Sequence, residues 1–171
     1  RATVRVENID ARTLQGDVGL LSILQELGME VDVSGPGIRV TGGDLREGPF
    51  TFDLGGMPDM APTLAVLSAV RRGRTVIRNV AHLRVKESDR LAALVSELRR
   101  VGAHAEERED GIAIEGGSRL HGAEIRTYGD HRIAMSFAAL GLAVPGIRVA
   151  DRACVGKSFP GFWSELEGWR K

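Results

Sequence analysis

The sequence predicts an α+β fold of the α/β-repeat kind, in which β-α-β-α-β-β units gather their helices against small mixed sheets. Three observations predict it. Short alternating or β-branched runs are interleaved with amphipathic stretches at helical spacing. The order strand, helix, strand, helix, hairpin is complete once, over residues 48–117. Parts of the same order flank it on both sides, and a unit whose sheet presents one apolar face needs neighbours to cover it.

Residues 4–9, Val-Arg-Val-Glu-Asn-Ile, form the first predicted strand. A helix is predicted over 18–27 and closed by Gly28, because glycine adopts the left-handed conformation that ends a helix without a Cβ clash. Two strands, 30–34 and 37–41, flank Gly35-Pro36-Gly37, which is hairpin turn chemistry. The complete unit opens with strand 50–54, helix 60–71 and strand 75–78. Its second helix, 87–101, sets Leu91, Leu94, Val95, Leu98 and Val101 three or four apart on one face, with Gly102 at the cap position. A hairpin follows, 103–107 and 112–115, turning at Asp110-Gly111.

After Gly117 come strand 123–128, helix 130–142, strand 147–150 and a last helix from about 157 to 168, with no hairpin to follow. The first stretch has the mirror defect: 4–9 correspond to 75–80, so the opening strand and helix of that unit are missing. The expected organisation is therefore one domain over 1–171, built of an incomplete unit 1–47, the complete unit 48–117 and an incomplete unit 118–171. A truncated first unit implies missing chain; a complete protein with irregular ends is the alternative.

Composition narrows the function classes. With 171 residues and 43% hydrophobic content the chain is long enough to bury a core. Lys plus Arg equals Asp plus Glu at 23 each, so no global field draws it to nucleic acid or an anionic membrane, and anion binding must be local. Cys154 is the single cysteine, which excludes an internal disulfide and fits a reducing compartment, with the cytoplasm as the expected location. No apolar run approaches the roughly 20 residues of a membrane span, and the first residues lack the apolar core of a signal peptide. No His or Cys grouping has metal-ligand spacing, so no metal site is predicted.

Three of the predicted helices begin with cations: Lys86 and Arg90, then Arg132, then Lys157. A helix N-terminus carries roughly half a positive charge, and a cation there costs a few tenths of a kcal/mol. A bound anion relieves that cost, since backbone N–H groups and an arginine fork together make a phosphate or carboxylate site.

Each cluster has two readings. Arg84-Val85-Lys86-Glu87-Ser88-Asp89-Arg90 is either a solvated first turn, with i,i+3 pairs Glu87–Arg90 and Lys86–Asp89, or a site where Lys86 and Arg90 reach anionic oxygens and Glu87 carries a proton. In Thr127-Tyr128-Gly129-Asp130-His131-Arg132, Asp130 caps a helix while His131 is exposed and Arg132 a boundary charge. Yet the residues that follow are apolar almost all round, so the polar end of a buried helix has to emerge somewhere. Cys154-Val155-Gly156-Lys157-Ser158-Phe159-Pro160-Gly161 places a lysine at a helix start but lacks the upstream glycine of a nucleotide-binding loop. Cys154, without a paired histidine, reads as a small buried side chain. Asp59, ahead of Met60-Ala61-Pro62, reads as an N-cap whose second oxygen is left for substrate.

Taken in order, Pro58-Asp59, Arg84 to Arg90, Tyr128-Gly129-Asp130-His131-Arg132-Ile133-Ala134-Met135 and Gly156-Lys157-Ser158-Phe159-Pro160 resemble the EPSP synthase family, the 3-phosphoshikimate 1-carboxyvinyltransferases. The resemblance runs through nearly the whole chain, and Gln15-Gly16-Asp17 matches a further family segment to which no chemistry is assigned. It implies two similar domains of three units each, with substrates in the cleft between them, and makes this chain most of the second domain. The implied reaction moves the enolpyruvyl group of phosphoenolpyruvate onto the 5-hydroxyl of shikimate 3-phosphate and releases phosphate, in the shikimate pathway to chorismate and the aromatic amino acids.

The resemblance also implies residue roles. Arg90, Arg132 and Lys157 hold phosphoenolpyruvate; Asp59 takes the proton of the attacking hydroxyl and helps bind shikimate 3-phosphate; Lys86 contacts the same substrate. Glu87 and Lys157 shuttle a proton at the enolpyruvyl methylene, and His131 orients the site. His82 stands where some members carry an amide, which leaves its contact with shikimate 3-phosphate open. No cofactor is implied. The partner implied is the family's first domain, whose lysine and arginine are absent here, so the isolated chain is expected to lack turnover. The rival readings are a UDP-N-acetylglucosamine enolpyruvyl transferase, against which the clusters at 86–90 and 130–132 speak, and a noncatalytic phosphate- or RNA-binding module of related fold. The neutral charge and an aromatic fraction of 5% argue against the RNA reading. A purely structural assembly domain follows if Arg90, Arg132 and Lys157 lie far apart.

Overall fold

A computed structural model describes residues 2–9, 15–35 and 37–169. The first stretch gives β1 (Thr3–Val6), α1 (Leu20–Glu26), β2 (Glu30–Asp32) and β3 (Ile38–Thr41). The strands form an antiparallel sheet of order β1-β3-β2, with Glu30 opposite Thr41. Pro36, in the predicted turn between β2 and β3, lies outside the described residues.

The middle stretch gives β4 (Phe50–Asp53), α2 (Ala61–Val70), β5 (Gly73–Arg78), α3 (Arg90–Arg100), β6 (His104–Arg108) and β7 (Gly111–Gly116). Their sheet has the order β4-β5-β7-β6. β4 and β5 are parallel, which demands a crossover, and α2 supplies it; the other pairs are antiparallel. The last stretch gives β8 (Glu124–Ile125), α4 (His131–Leu140), β9 (Arg148–Val149) and α5 (Phe162–Gly168), with β8 parallel to β9. The order β1-β3-β2 thus repeats β5-β7-β6, and the pair β8-β9 repeats β4-β5. Asn8 and Asn79, just past β1 and β5, both turn to positive φ, 58° and 62°, a conformation asparagine tolerates better than most residues. That turn ends the first strand before the predicted residue 9.

Three of the helices meet one another. α2 packs on α3 and α4, and α3 packs on α4. α2 is buried on nearly every side, through Ala61, Pro62, Leu64, Ala65, Val66, Ser68 and Ala69, as a helix at the centre of a core must be. Ser68 spends its hydroxyl on the Leu64 carbonyl, 2.7 Å away, so its burial leaves no donor orphaned. On α3 the predicted stripe Leu91, Leu94, Val95, Leu98 and Val101 is buried throughout. One apolar cluster runs from Ile23 and Leu27 through Phe52, Leu64 and Ile112 to Ile133 and Phe137, which joins all three stretches.

Several helix limits differ from the sequence reading, each for a local reason. α3 begins at Arg90 and not at 87, because the Asp89 carboxylate accepts the Ala92 N–H and fixes the cap there. Lys86 and Glu87 therefore lie ahead of the helix, after a 3-10 turn over Ala81–Val85. Asp59 is not an N-cap: it sits in a 3-10 turn, Pro58–Met60, and makes no capping bond. The last helix begins at Phe162, past Pro160-Gly161, because a residue before proline is pushed out of helical conformation. Lys157 consequently follows a 3-10 turn, Ala153–Val155, and does not start a helix. The predicted helix 60–71 stops at Val70, since Arg71 is extended at ψ 145°. The β6–β7 turn falls at Glu109-Asp110, one residue early, because Arg108 pairs with Gly111.

Candidate active site

The turn before α2 and the N-terminal ends of α3 and α4 come together at one end of the helix layer, joined by the loop that carries Lys157. At the centre is Arg90, whose side chain is 1% exposed. Its Nε donates to Asp130 Oδ2 at 2.8 Å, its Nη1 to Asp59 Oδ1 at 3.0 Å and its Nη2 to Glu87 Oε2 at 2.8 Å. A guanidinium presents its donors in a rigid planar fork, so three carboxylates bonded to one arginine are fixed in direction as well as distance.

Asp130 serves two helices at once. Its Oδ1 caps α4 by accepting the N–H groups of Arg132 and Ile133, as the sequence predicts, while Oδ2 takes Arg90 and, at 3.4 Å, the Ser88 hydroxyl. Burial pushes this carboxyl up in pKa, but the Arg90 bond and charge and the two backbone donors outweigh it and hold it below its ordinary value. It is a fixed anion inside the core.

Asp59, freed from capping, points both oxygens at arginines: Oδ1 to Arg90 and Oδ2 to Arg132 Nη2 at 2.7 Å. Glu87 accepts Arg90 on one oxygen and on the other faces Lys157 Nζ at 3.7 Å and His131 Nδ1 at 3.8 Å. Its own backbone N–H, and then the Arg90 charge against the opposing cost of burial, keep the Glu87 carboxyl low, so it stands as carboxylate. His131 is buried, not exposed, and its Nδ1 has no hydrogen-bond partner at standard length. Burial first, and Arg132 second, lower its pKa and favour the neutral ring.

The structure thus brings Asp59, Glu87, Arg90, His131, Arg132 and Lys157 into one cluster. Lys86 and His82 are exposed, and the bonds of the cluster run through neither. The predicted Glu87–Arg90 pair forms; Asp89 pairs with Arg84 at 3.5 Å, where the sequence reading paired it with Lys86. Arg84 also bonds Glu107 and the Arg108 carbonyl on β6, which ties the 84–89 loop to the hairpin. Cys154 is half-buried, donates to the Asp151 carbonyl at 3.2 Å, and has its thiol pKa raised by burial, so it is a poor nucleophile. Sequence reasoning took Asp130 for a cap and missed its grip on Arg90; no spacing rule links residues forty apart.

Chemically, the cluster offers two kinds of group. Arg132 and Lys157 are partly open to solvent, at 27% and 51% of their side chains, and present donors to an incoming oxyanion. Asp59 and Glu87, about a third exposed, are carboxylates able to take a proton.

Comparison with known proteins places this geometry in a family. A family model for EPSP synthase (3-phosphoshikimate 1-carboxyvinyltransferase) matches residues 1–166. The 3-phosphoshikimate 1-carboxyvinyltransferase of Syntrophobacter fumaroxidans is 49% identical over 157 residues, which is 91% of this chain and 37% of that protein. The one from Nostoc punctiforme is 40% identical over 163 residues, 95% of this chain and 38% of that protein. The chain therefore spans under two-fifths of the length of these curated relatives. Among solved structures, EPSP synthase from Acinetobacter baumannii superposes with a TM-score of 0.85 at 30% identity, covering 98% of this chain and 41% of that one. The enolpyruvyl transferase NikO from Streptomyces tendae shares the fold, with a TM-score of 0.77 at 22% identity, over 98% of this chain and 38% of its own. With its motifs on one cluster and a family match over almost its full length, the chain belongs to the EPSP synthase (3-phosphoshikimate 1-carboxyvinyltransferase) family.

Proposed function

We propose that this chain is the larger part of the second domain of a two-domain enzyme that transfers the enolpyruvyl group of phosphoenolpyruvate to the 5-hydroxyl of shikimate 3-phosphate. The observation that carries the reading is the convergence of Asp59, Glu87, Arg90, His131, Arg132 and Lys157 from separate elements on a single open-edged cluster. Charge supports the two-domain part. Asp59, Glu87 and Asp130 offset Arg90, Arg132 and Lys157, so the cluster has no surplus positive charge for a trianionic substrate. The first domain of the family supplies further cations, and closing it over this end would complete the anion site.

In this reading Arg132 and Lys157, with Arg90 beneath them, receive the carboxylate and phosphate of phosphoenolpyruvate. Asp59 takes the 5-hydroxyl proton as that oxygen bonds to the enol carbon, and the methylene takes a proton from the Lys157 ammonium. The tetrahedral phospho-ketal so formed loses a methyl proton to the Glu87 carboxylate as phosphate departs. The roles follow from state: Glu87 is held ionised, which suits a base, and the ammonium beside it suits an acid. His131, buried beside Glu87 with its pKa lowered, orients the site. Lys86, on the exposed loop, contacts shikimate 3-phosphate on domain closure, and the contact of His82, in the 3-10 turn before it, stays open.

Phosphate release by the full-length polypeptide, assayed with phosphoenolpyruvate and either shikimate 3-phosphate or UDP-N-acetylglucosamine, tests the proposal. Turnover is expected with the first acceptor alone; turnover with only the UDP-sugar overturns it.

A further inference from the structure

Glu97 is an acid with no exposed side-chain surface, on the same face of α3 as Arg90 and two helical turns further on. Its Oε1 accepts the Tyr128 hydroxyl at 2.8 Å, and its Oε2 accepts the Arg126 N–H at 3.1 Å and Arg100 Nε at 2.9 Å. Tyr128 is a non-glycine residue at φ 56°, followed by Gly129 at φ 68°. The Asp130 N–H closes back on the Thr127 carbonyl at 2.8 Å, so residues 127–130 form a turn with both central residues left-handed. Glycine holds that conformation freely, whereas tyrosine holds it at a cost of order 1 kcal/mol or more that the surroundings must meet.

We infer that Glu97 and Tyr128 are positioning residues for the anion-binding end of α4. α3 grips the 126–132 segment at two points: Glu97 holds Arg126 and Tyr128 at its start, and Arg90 holds Asp130 at its end. Between these grips the strained turn has one geometry, and Asp130, which caps α4, transmits it to His131 and Arg132. Loosening the Tyr128 grip lets the turn relax, and the Arg132 fork moves off the direction set by Asp59. Neither Glu97 nor Tyr128 bonds any of Asp59, Arg132 or Lys157 directly, so the effect runs through the turn.

This inference rests on the reading of Arg132 as a phosphoenolpyruvate ligand, and its test separates the two. In the full-length enzyme, Tyr128→Phe keeps the ring and removes the hydroxyl. Loss of one hydrogen bond to a buried partner predicts a KM for phosphoenolpyruvate raised roughly ten-fold, against less than two-fold for shikimate 3-phosphate. Glu97→Gln, which keeps an acceptor for the phenol, is expected to fall between wild type and Tyr128→Phe. In an Arg132→Lys background the Tyr128→Phe effect is expected to shrink below two-fold, since both act through one fork. An unchanged KM for phosphoenolpyruvate with only a lowered Tm, or an equal effect in both backgrounds, overturns the positioning role while leaving the proposed reaction intact. Wild-type enzyme without enolpyruvyl transfer overturns the reading beneath it.

Discussion

Arg90 bonds three carboxylates while 1% of its side chain reaches solvent, and Asp130, one of the three, reaches none. Such a pair is stabilising only while both partners are present, because either charge alone is buried without compensation. Arg90→Met is expected to lower stability by about 3–5 kcal/mol, measured by urea unfolding. Asp59→Asn behaves differently, since Asp59 is a third exposed, Arg90 keeps Glu87 and Asp130, and the Arg132 side chain is partly open to solvent. It should leave urea stability within about 1 kcal/mol. The kcat of the full-length enzyme should fall by about 10²–10⁴, the range for loss of a general base, as read by phosphate release. At this scale the sequence revealed residue types well and partners poorly. Asp59 looked like a cap from its place before Pro62, and only the approach of two arginines from α3 and α4 shows where its oxygens point.

At the scale of the element, caps decide where helices start and so which residues stand at the site. Asp89 fixes the start of α3 through the Ala92 N–H, and by doing so leaves Lys86 and Glu87 on a loop. Asp89→Ala is expected to cost about 0.5–2 kcal/mol, measured by thermal or urea unfolding. Because the 84–89 loop is also tied through Arg84 to Glu107 and the Arg108 carbonyl, its path should survive that loss. The stripe of α3 and the hairpin β6–β7 were legible because spacing and turn chemistry are local. The start of α5 was not, because a lysine after glycine resembles a helix start until Pro160 and the 3-10 turn at Ala153–Val155 are seen to delay it.

At the scale of the whole molecule, acid should lower the stability of the fold over two pH ranges. His131 has a pKa below its ordinary 6.5 in the fold, so on acidification through 6.5 the unfolded chain binds a proton that the folded one refuses. Stability therefore falls as pH drops from about 6.5 towards the folded value, and His131→Gln should remove that fall. Asp130 is held below its ordinary 3.8, so its contribution is complete above 3.8 and is lost as pH falls through the lower folded value. Urea midpoints followed from pH 8 to pH 3 check both ranges; a midpoint that rises between pH 7 and 5 contradicts the first. The balanced charge of the cluster predicts that the 171-residue chain alone gives no measurable phosphate release, while the full-length enzyme does.

By itself the sequence determined the order of elements, the repetition of strand–helix units, the buried stripe of α3 and the residue types of the site, since all of these rest on spacing along the chain. Tertiary structure decided which charges meet. Asp59, Arg90 and Asp130 come from three separate elements, and whether a carboxylate caps its own helix or binds a distant arginine depends on packing between helices that no local pattern encodes. It also decided the burial of Glu97 and His131, because solvent is excluded by neighbours remote in sequence, and for His131 that exclusion lowers the pKa.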